Sequence, residues 1–134
     1  MRNEAIEFLQ ANPVQYLTTV DEFGNPRVRP FMFMLEKDGK PYYSTSNKKD
    51  MYAQMKAHPL VEITTTNPEF AWIRISGTIE FVDDLALKEE IINANEIVRN
   101  NYQTADNPEF VIFTISGTAV IDDFSEQPSK TYSI

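Results

Sequence analysis

The sequence predicts a mainly β (α+β) fold, in which an antiparallel six-stranded sheet curls toward a barrel and carries flanking helices. Runs rich in β-branched and aromatic residues alternate with turn signals and are joined by short turns, which favours antiparallel pairing. The tetrapeptide Ile75-Ser76-Gly77-Thr78 recurs as Ile115-Ser116-Gly117-Thr118 in the middle of two predicted strands. A glycine at such a position usually marks a bulge or a bend, and two matching bends favour a curled sheet.

Turn and cap signals set the boundaries of the predicted elements. Apolar residues from Ala5 to Leu9 have helical spacing before Asn12-Pro13, so the chain opens on a helix, and Asp38-Gly39 is the strongest hairpin signal. The predicted strands span 15–20, 27–36, 41–45, 60–66, 70–82 and 110–122. The predicted helices span 3–11, 48–57 and 85–101, and residues 126–134 are predicted to form a tail.

Length and composition limit the classes of function. The 134 residues fit a single domain, residues 1–134. The net charge of −8 argues against nucleic-acid binding, although a local cluster of cations can still bind one phosphate. The chain has no cysteine, no signal-peptide core and no apolar run of about 20 residues, so we expect a cytoplasmic protein that does not bind membranes.

One predicted strand carries two arginines on the same face. Side chains alternate along a strand, so Arg27 and Arg29 point one way and Val28 points the other way, toward the predicted core. Two guanidiniums on one face repel each other unless an anion lies between them, and their planar donors suit phosphate. Pro30 cannot donate a ladder hydrogen bond and indicates an edge strand or a nearby bulge. Arg27 alone is slightly better explained as a solvated side chain, whereas the pair beside Pro30 favours a binding site.

A polar segment follows the third predicted strand and leads directly into a helix. It comprises Ser44, Thr45, Ser46, Asn47, Lys48 and Lys49. Ser46 or Asn47 is predicted to cap the helix, which leaves both lysines in the first turn, where the helix dipole disfavours cations. An anion bound at the helix start would compensate, because backbone N–H groups and both lysines would face it. The alternative is two solvated lysines that Asp50 partly offsets.

A third segment pairs an aromatic side chain with a cation. Trp72 and Arg74 lie on one face of their predicted strand, opposite the apolar residues Ile73 and Ile75. Such a pair packs on a neighbouring subunit or on an aromatic ligand, although an exposed arginine beside a half-buried tryptophan explains the pattern equally well. The sequence shows neither a nucleophile–base pair nor a metal-ligand cluster, so we assign no catalytic residue and no metal.

Together these residues resemble the pyridoxamine 5'-phosphate oxidase-like family of FMN-binding split barrels. The resemblance covers residues 3 to about 124 and depends on the order and spacing of several short segments. These segments are Tyr16 to Val20, Gly24 to Phe31, Tyr43 to Lys49, His58-Pro59 and Trp72 to Gly77. The chain lacks the C-terminal arginine-containing substrate motif of the true oxidases. It is therefore closer to the short general-stress-protein or nitroimidazole-resistance-like members, and oxidation of pyridoxamine phosphate itself is not expected.

The resemblance implies a six-stranded split barrel that forms a homodimer and binds FMN at each dimer interface. In such proteins the arginine strand, here Arg27 to Pro30 with Val28 between the arginines, contacts the flavin ring and the ribityl chain. The segment from Ser44 to Lys49 and a strand arginine hold the phosphate, and Lys49 matches the family's phosphate-binding lysine. Trp72 matches a position that often contacts the flavin from the facing subunit, with Arg74 beside it.

The resulting hypothesis is an FMN-dependent oxidoreductase of an unknown small substrate, in which the flavin carries the hydride chemistry. The alternatives are a non-catalytic flavin-binding or redox-sensing dimer, a deazaflavin-dependent reductase on the same fold, and a barrel that has lost its cofactor. A homodimer is also expected from surface chemistry. Trp72, Phe31, Phe33 and Tyr43 are predicted on strand faces opposite the core, and this is more aromatic area than a small monomer leaves in water.

Overall fold

The computed structural model describes residues 3–134, which form four helices and eight strands. The helices are α1 (Glu4–Ala11), α2 (Asp50–Ala57), α3 (Leu85–Ala94) and α4 (Glu96–Tyr102). The strands are β1 (Val14–Val20), β2 (Pro26–Met32), β3 (Leu35–Lys37), β4 (Lys40–Ser46), β5 (Leu60–Thr66), β6 (Trp72–Val82), β7 (Phe110–Asp122) and β8 (Lys130–Ser133). One antiparallel sheet runs in the order β2-β1-β5-β6-β7-β4-β3, and β8 pairs with β7. The predicted fold class is confirmed, with eight strands in place of six.

The sheet curls because the chain passes directly from one of its edge strands to the other. The edge strands are β2 and β3, and only Phe33 and Met34 separate them in sequence. The Phe33 N–H donates to the Pro13 carbonyl beside β1 (2.8 Å), and the Met34 N–H donates to the Tyr42 carbonyl in β4 (3.0 Å). Two consecutive residues thus tie both edges together, which produces a half-barrel.

The additional elements have local causes. The strand predicted over 27–36 divides into β2 and β3 at the crossing just described. The helix predicted over 85–101 divides at Asn95, whose backbone is extended and whose side chain accepts a hydrogen bond from the Val98 N–H (3.0 Å), so that it caps α4. The predicted tail contains β8. None of the helices within residues 3–134 combines the length and the apolar character needed to cross a membrane.

The two Ile-Ser-Gly-Thr tetrapeptides lie opposite each other in the sheet. Gly77 of β6 pairs with Gly117 of β7, and the ladder between the two strands runs without a bulge. A Cβ on Gly77 would lie 2.4 Å from the Ser116 carbonyl oxygen, and one on Gly117 would lie 2.1 Å from the Ser76 carbonyl oxygen. Glycine is therefore required by the close approach of two backbones, and not by a bulge.

The inner face of the half-barrel carries an aromatic core. Phe31 stacks on Tyr43 with 4.4 Å between ring centroids, and Tyr43 is fully buried and donates its hydroxyl to Gln15 (2.7 Å). Phe33 is 8% exposed and packs edge-on against Tyr43. The prediction that these three aromatic residues face away from the core is therefore wrong.

The assignment of Val28 to the core is wrong for the same reason, since its side chain is 66% exposed. Side chains alternate along β2 as predicted, but the inner face carries Arg27, Arg29 and Phe31, and the outer face carries Val28. The apolar character of Val28 therefore led to an incorrect assignment of the face that points to the core.

Candidate functional site

A groove of about 470 Å³ lies where β2, the end of β4, the start of α2 and α4 meet. We call it the Lys49 groove. Of the residues predicted to bind a cofactor, it brings together Arg29, Pro30, Ser44, Thr45 and Lys49. An apolar wall formed mainly by Phe31, Met32, Met34, Met51 and Ile97 completes it. The groove therefore joins a polar end at α2 to an apolar surface along β2.

The helix α2 begins in this groove without a side-chain cap. Its N-cap residue is Lys49, and no side chain within residues 3–134 accepts a hydrogen bond from its first turn. Ser46 Oγ instead accepts from the Lys48 N–H (3.1 Å), and the Asn47 side-chain amide donates to the Pro108 carbonyl (2.9 Å). The prediction that Ser46 or Asn47 caps the helix is wrong, because both side chains stabilise the preceding loop. Within the first turn, the Tyr52 N–H donates to the Lys49 carbonyl (3.1 Å), whereas the N–H groups of Asp50 and Met51 have no partner among the described residues and can bind an anion.

Two buried oxygens near the start of α2 lack a hydrogen-bond partner in the described part of the chain, Thr45 Oγ1 and Asn47 Oδ1. Thr45 is 3% exposed and lines the Lys49 groove. An unsatisfied buried polar group costs about 1–3 kcal/mol, so such atoms are uncommon in native proteins without a water or ligand partner. The Thr45 hydroxyl is therefore a candidate donor to a water or to a ligand in the groove.

The cations of this region have no carboxylate partner. Lys48 and Lys49 are exposed, and neither forms an ion pair with another described residue. Lys49 lines the groove, whereas Lys48 lies outside its lining. Both stand at the helix end that disfavours positive charge, so a bound anion would relieve the mismatch.

Arg29 enters the Lys49 groove from the inner face of β2, and its hydrogen-bond partners within residues 3–134 are neutral. Its Nη1 donates to Thr19 Oγ1 (2.7 Å), and its Nη2 donates to Gln54 Oε1 of α2 (2.9 Å). Burial lowers the pKa of Arg29, and the charge of Asp50 opposes that shift. Arg29 thus connects β1, β2 and α2 while its charge remains available to an anion.

A second groove, of about 800 Å³, lies between the β1–β2 turn and α2. We call it the Arg27 groove. Arg29 and Asp50 line both grooves, whereas Arg27 and Val28 line only this one. Arg27 Nε lies 3.0 Å from Asp21 Oδ2. The two arginines predicted to share one anion therefore have separate partners, and the fold does not bring Arg27 or Val28 to Lys49.

Trp72 and Arg74 lie on the outer face of β6, apart from both grooves. The Arg74 guanidinium is 5.5 Å from the centre of the Trp72 ring, and its Nε is 3.9 Å from Glu62 Oε2. Within one chain, neither residue reaches the Lys49 groove.

The comparison with known proteins decides the family. Residues 1–122 match the model of the family described as pyridoxamine 5'-phosphate oxidase. The chain belongs to this family. A NimC/NimA family protein from Clostridium acetobutylicum is 33% identical, with a TM-score of 0.86 over 98% of this chain and 90% of that chain. No curated protein gives a significant sequence match.

More distant members of the pyridoxamine 5'-phosphate oxidase family share the fold. A protein related to general stress protein 26 from Clostridium acetobutylicum is 20% identical, with a TM-score of 0.75 over 98% of this chain and 92% of that chain. A pyridoxamine 5'-phosphate oxidase-related, FMN-binding protein from Nostoc punctiforme is 18% identical, with a TM-score of 0.71 over 98% of this chain and 95% of that chain.

In this member of the pyridoxamine 5'-phosphate oxidase family, one wall of the groove was missed by sequence analysis. Ile97, Val98, Asn101 and Tyr102 reach the Lys49 groove from α4. They do so because Asn95 ends α3 and starts α4 in a new direction. An asparagine before a second short apolar run is an N-cap signal, and it could have revealed the break.

Proposed function

We propose that the chain is an FMN-binding oxidoreductase of a small substrate, with the flavin phosphate at the start of α2 in the Lys49 groove. The observation that carries the proposal is the buried, unpartnered Thr45 Oγ1 beside Lys49 and Arg29. A phosphate has acceptor oxygens for the threonine hydroxyl, for both cations and for the free N–H groups of the helix. These donors fit a phosphate better than a neutral ligand.

The apolar wall of the same groove suits a planar aromatic ring. Phe31 is held by its stacking on the buried Tyr43, so the wall is formed before any ligand binds. Met32 and Met34 are unbranched side chains that adapt to a ring surface. When bound, FMN would supply the redox chemistry, while the protein binds it, orients it and excludes water from one side.

We further propose that the working unit is a homodimer in which two chains share each flavin. Three apolar side chains on the outer face of the sheet are strongly exposed: Val14 is 51% exposed, Tyr16 46% and Leu60 71%. Strand register places all three on the face that also carries Trp72 and Arg74. A two-fold interface on this face would bury them and bring Trp72 toward the partner's groove.

Fluorescence titration with FMN and riboflavin tests the phosphate site directly. Thr45→Val and Lys49→Gln should each weaken FMN binding, Lys49→Gln by about tenfold or more, because a charge-assisted hydrogen bond contributes about 1.5–3 kcal/mol. Riboflavin lacks the phosphate, so its weaker binding should not change. Lys56→Gln is the matched control, since Lys56 is an exposed lysine at the other end of α2. Equal FMN affinity in all three variants and the wild type would refute the site.

Three further measurements separate the alternatives. A protein that binds a deazaflavin more tightly than FMN is a deazaflavin-dependent reductase. A protein that binds FMN and transfers no electrons from a reduced nicotinamide to an acceptor is a non-catalytic binder or sensor. A strict monomer by sedimentation that still binds FMN tightly contradicts the shared site, whereas a dimer that dissociates on removal of FMN supports it.

A further inference from the structure

The Arg27 groove has the features of a ligand site and lies outside the proposed flavin groove. It is the larger of the two grooves, at about 800 Å³, and Arg29 and Asp50 form the wall between them. Its remaining polar lining comes from the β1–β2 turn and from Gln54 and His58 at the far end of α2. A ligand bound here would lie directly beside the Lys49 groove.

Asp21 fixes the geometry of this groove. It is 8% exposed, and its Oδ1 accepts hydrogen bonds from the Phe23 and Asn25 N–H groups, both at 2.9 Å. Its Oδ2 accepts from Arg27 Nε at 3.0 Å. The hydrogen bond from the Asn25 N–H, and to a smaller extent those from the Phe23 N–H and Arg27, hold the pKa of this carboxyl below its usual range. The carboxylate thus remains ionised and orients the arginine.

Arg27 presents an unused pair of donors to the groove. Only Nε is bonded, and neither terminal nitrogen has a partner in the described portion of the chain. The side chain is 56% exposed. A guanidinium held at Nε offers its two terminal nitrogens as a flat fork, which matches the two oxygens of a carboxylate. Arg27 is therefore held in one orientation, and its two terminal nitrogens can donate hydrogen bonds to a ligand.

Apolar side chains surround this fork. Val28 and Phe23 are 66% and 80% exposed, and both line the groove, as do Ala53 and Ala57 on α2. Exposed apolar side chains beside an oriented cation suit a ligand with one anionic end and an apolar body. Besides Arg27, the groove is lined by the charged residues Arg29, Asp21, Glu22 and Asp50, so three carboxylates disfavour a ligand with more than one negative charge.

We propose that the Arg27 groove binds a small organic monocarboxylate with an apolar body. Arg27 binds the carboxylate, and Asp21 is the positioning residue that holds Arg27. The site does not depend on the proposed flavin, although its shared wall would place the carboxylate ligand next to the flavin groove.

Benzoate is a suitable probe, because it combines a carboxylate with an apolar ring, and benzamide is its neutral counterpart. Titration of the flavin-free full chain, followed by amide chemical shifts in ¹H–¹⁵N NMR spectra, should show saturable shifts in the β1–β2 turn and in the second half of α2. Benzamide should shift these amides at least fivefold more weakly. Arg27→Gln should lower benzoate affinity at least fivefold. Arg74→Gln should not, although Arg74 is also an arginine that reaches a carboxylate through Nε.

A double-mutant cycle tests the role of Asp21. Asp21→Asn should weaken benzoate binding in the presence of Arg27 and have no further effect in the Arg27→Gln background, because it acts through the arginine. Equal binding of benzoate and benzamide, or unchanged affinity in Arg27→Gln, would overturn the proposal. So would shifts confined to the start of α2. Because the experiment contains no flavin, its failure leaves the FMN titrations unaffected, and the reverse also holds.

Discussion

The two grooves on either side of Arg29 are built in opposite ways. The Lys49 groove draws its walls from three separate segments of the chain, 29–34, 44–51 and 97–102, and is anchored in the core through the stacking of Phe31 on Tyr43. One polar atom of its lining, Thr45 Oγ1, has no partner among the described residues. The Arg27 groove lies between one local turn and α2, and in that turn Asp21 accepts hydrogen bonds from two backbone N–H groups and from Arg27. The shape of the Lys49 groove thus depends on contacts between distant segments, whereas the orientation of Arg27 depends on a single turn.

The largest effect is expected where the Lys49 groove meets the core. Phe31→Ala removes a ring that stacks on Tyr43 at 4.4 Å and approaches Phe113 at 6.4 Å. We expect a loss of about 2–4 kcal/mol in the free energy of unfolding, together with weaker FMN binding. Urea unfolding and FMN titration measure both. If Phe31→Ala lowered the free energy of unfolding no more than a surface substitution does, the Lys49 groove would not be anchored in the core, and the contrast between the two grooves would be wrong.

Substitution of Arg29, in the wall shared by the two grooves, should give the next largest loss of stability. Arg29→Met keeps an unbranched chain but removes the donors to Thr19 and Gln54, so we expect a loss of about 1–3 kcal/mol in unfolding free energy and weaker FMN binding. Arg29→Lys restores the charge without the planar fork and should recover FMN affinity better than stability. An Arg29→Met protein with wild-type thermal stability would show that the wall does not hold α2 in place.

The turn that supports the Arg27 groove should be sensitive to acid. Because the folded-state pKa of Asp21 is lowered, its carboxylate stabilises the folded state above its unfolded pKa of about 3.9, and this stabilisation is lost as the pH falls through the folded-state value. The stability difference between the wild type and Asp21→Asn should therefore be constant from neutral pH to about pH 5 and shrink below about pH 4. Urea unfolding at several pH values measures the difference. A stability difference between the two proteins that does not change with pH would contradict the stabilising role of the ionised Asp21 carboxylate.

The smallest effect is expected at the rim of the Arg27 groove. Val28 is 66% exposed, so Val28→Ala should change the free energy of unfolding by less than about 0.5 kcal/mol. Unfolding should be measured at a protein concentration low enough to keep the chain monomeric, because Val28 lies on the outer face of the sheet, where the dimer interface is proposed. A larger loss in the monomer would mean that Val28 packs inward, as its sequence position first suggested.

Several features of the fold and of the site could be predicted because they depend on neighbours in sequence. Pro30 predicted an edge strand, and β2 lies at the edge of the sheet. Ser44, Thr45 and Lys49 were predicted to contribute to one site, and the end of β4 and the start of α2 bring them into one groove. Strand ends and helix starts are set by local turn and cap chemistry, which the sequence records directly.

The remaining features depend on contacts between distant segments. Strand alternation along β2 separates Arg29 and Phe31 from Val28, but it does not say which set faces the core. That choice depends on Tyr43 and on Gln54, which lie on other elements. The separation of Arg27 from Arg29 likewise depends on Asp21, whose bonds to its own turn gave no distinct signal in the sequence.

The position of β2 at the sheet edge has a consequence for solubility. An edge strand presents backbone N–H and C=O groups that can pair with the edge of another molecule, which is a common route to aggregation. Charged side chains and proline oppose such pairing, and the exposed β2 strand carries Arg27, Arg29 and Pro30 within four residues. The arginines that we associate with ligands would therefore also oppose edge-to-edge pairing of two copies through β2. Variants that remove both charges should be judged by soluble yield as well as by affinity.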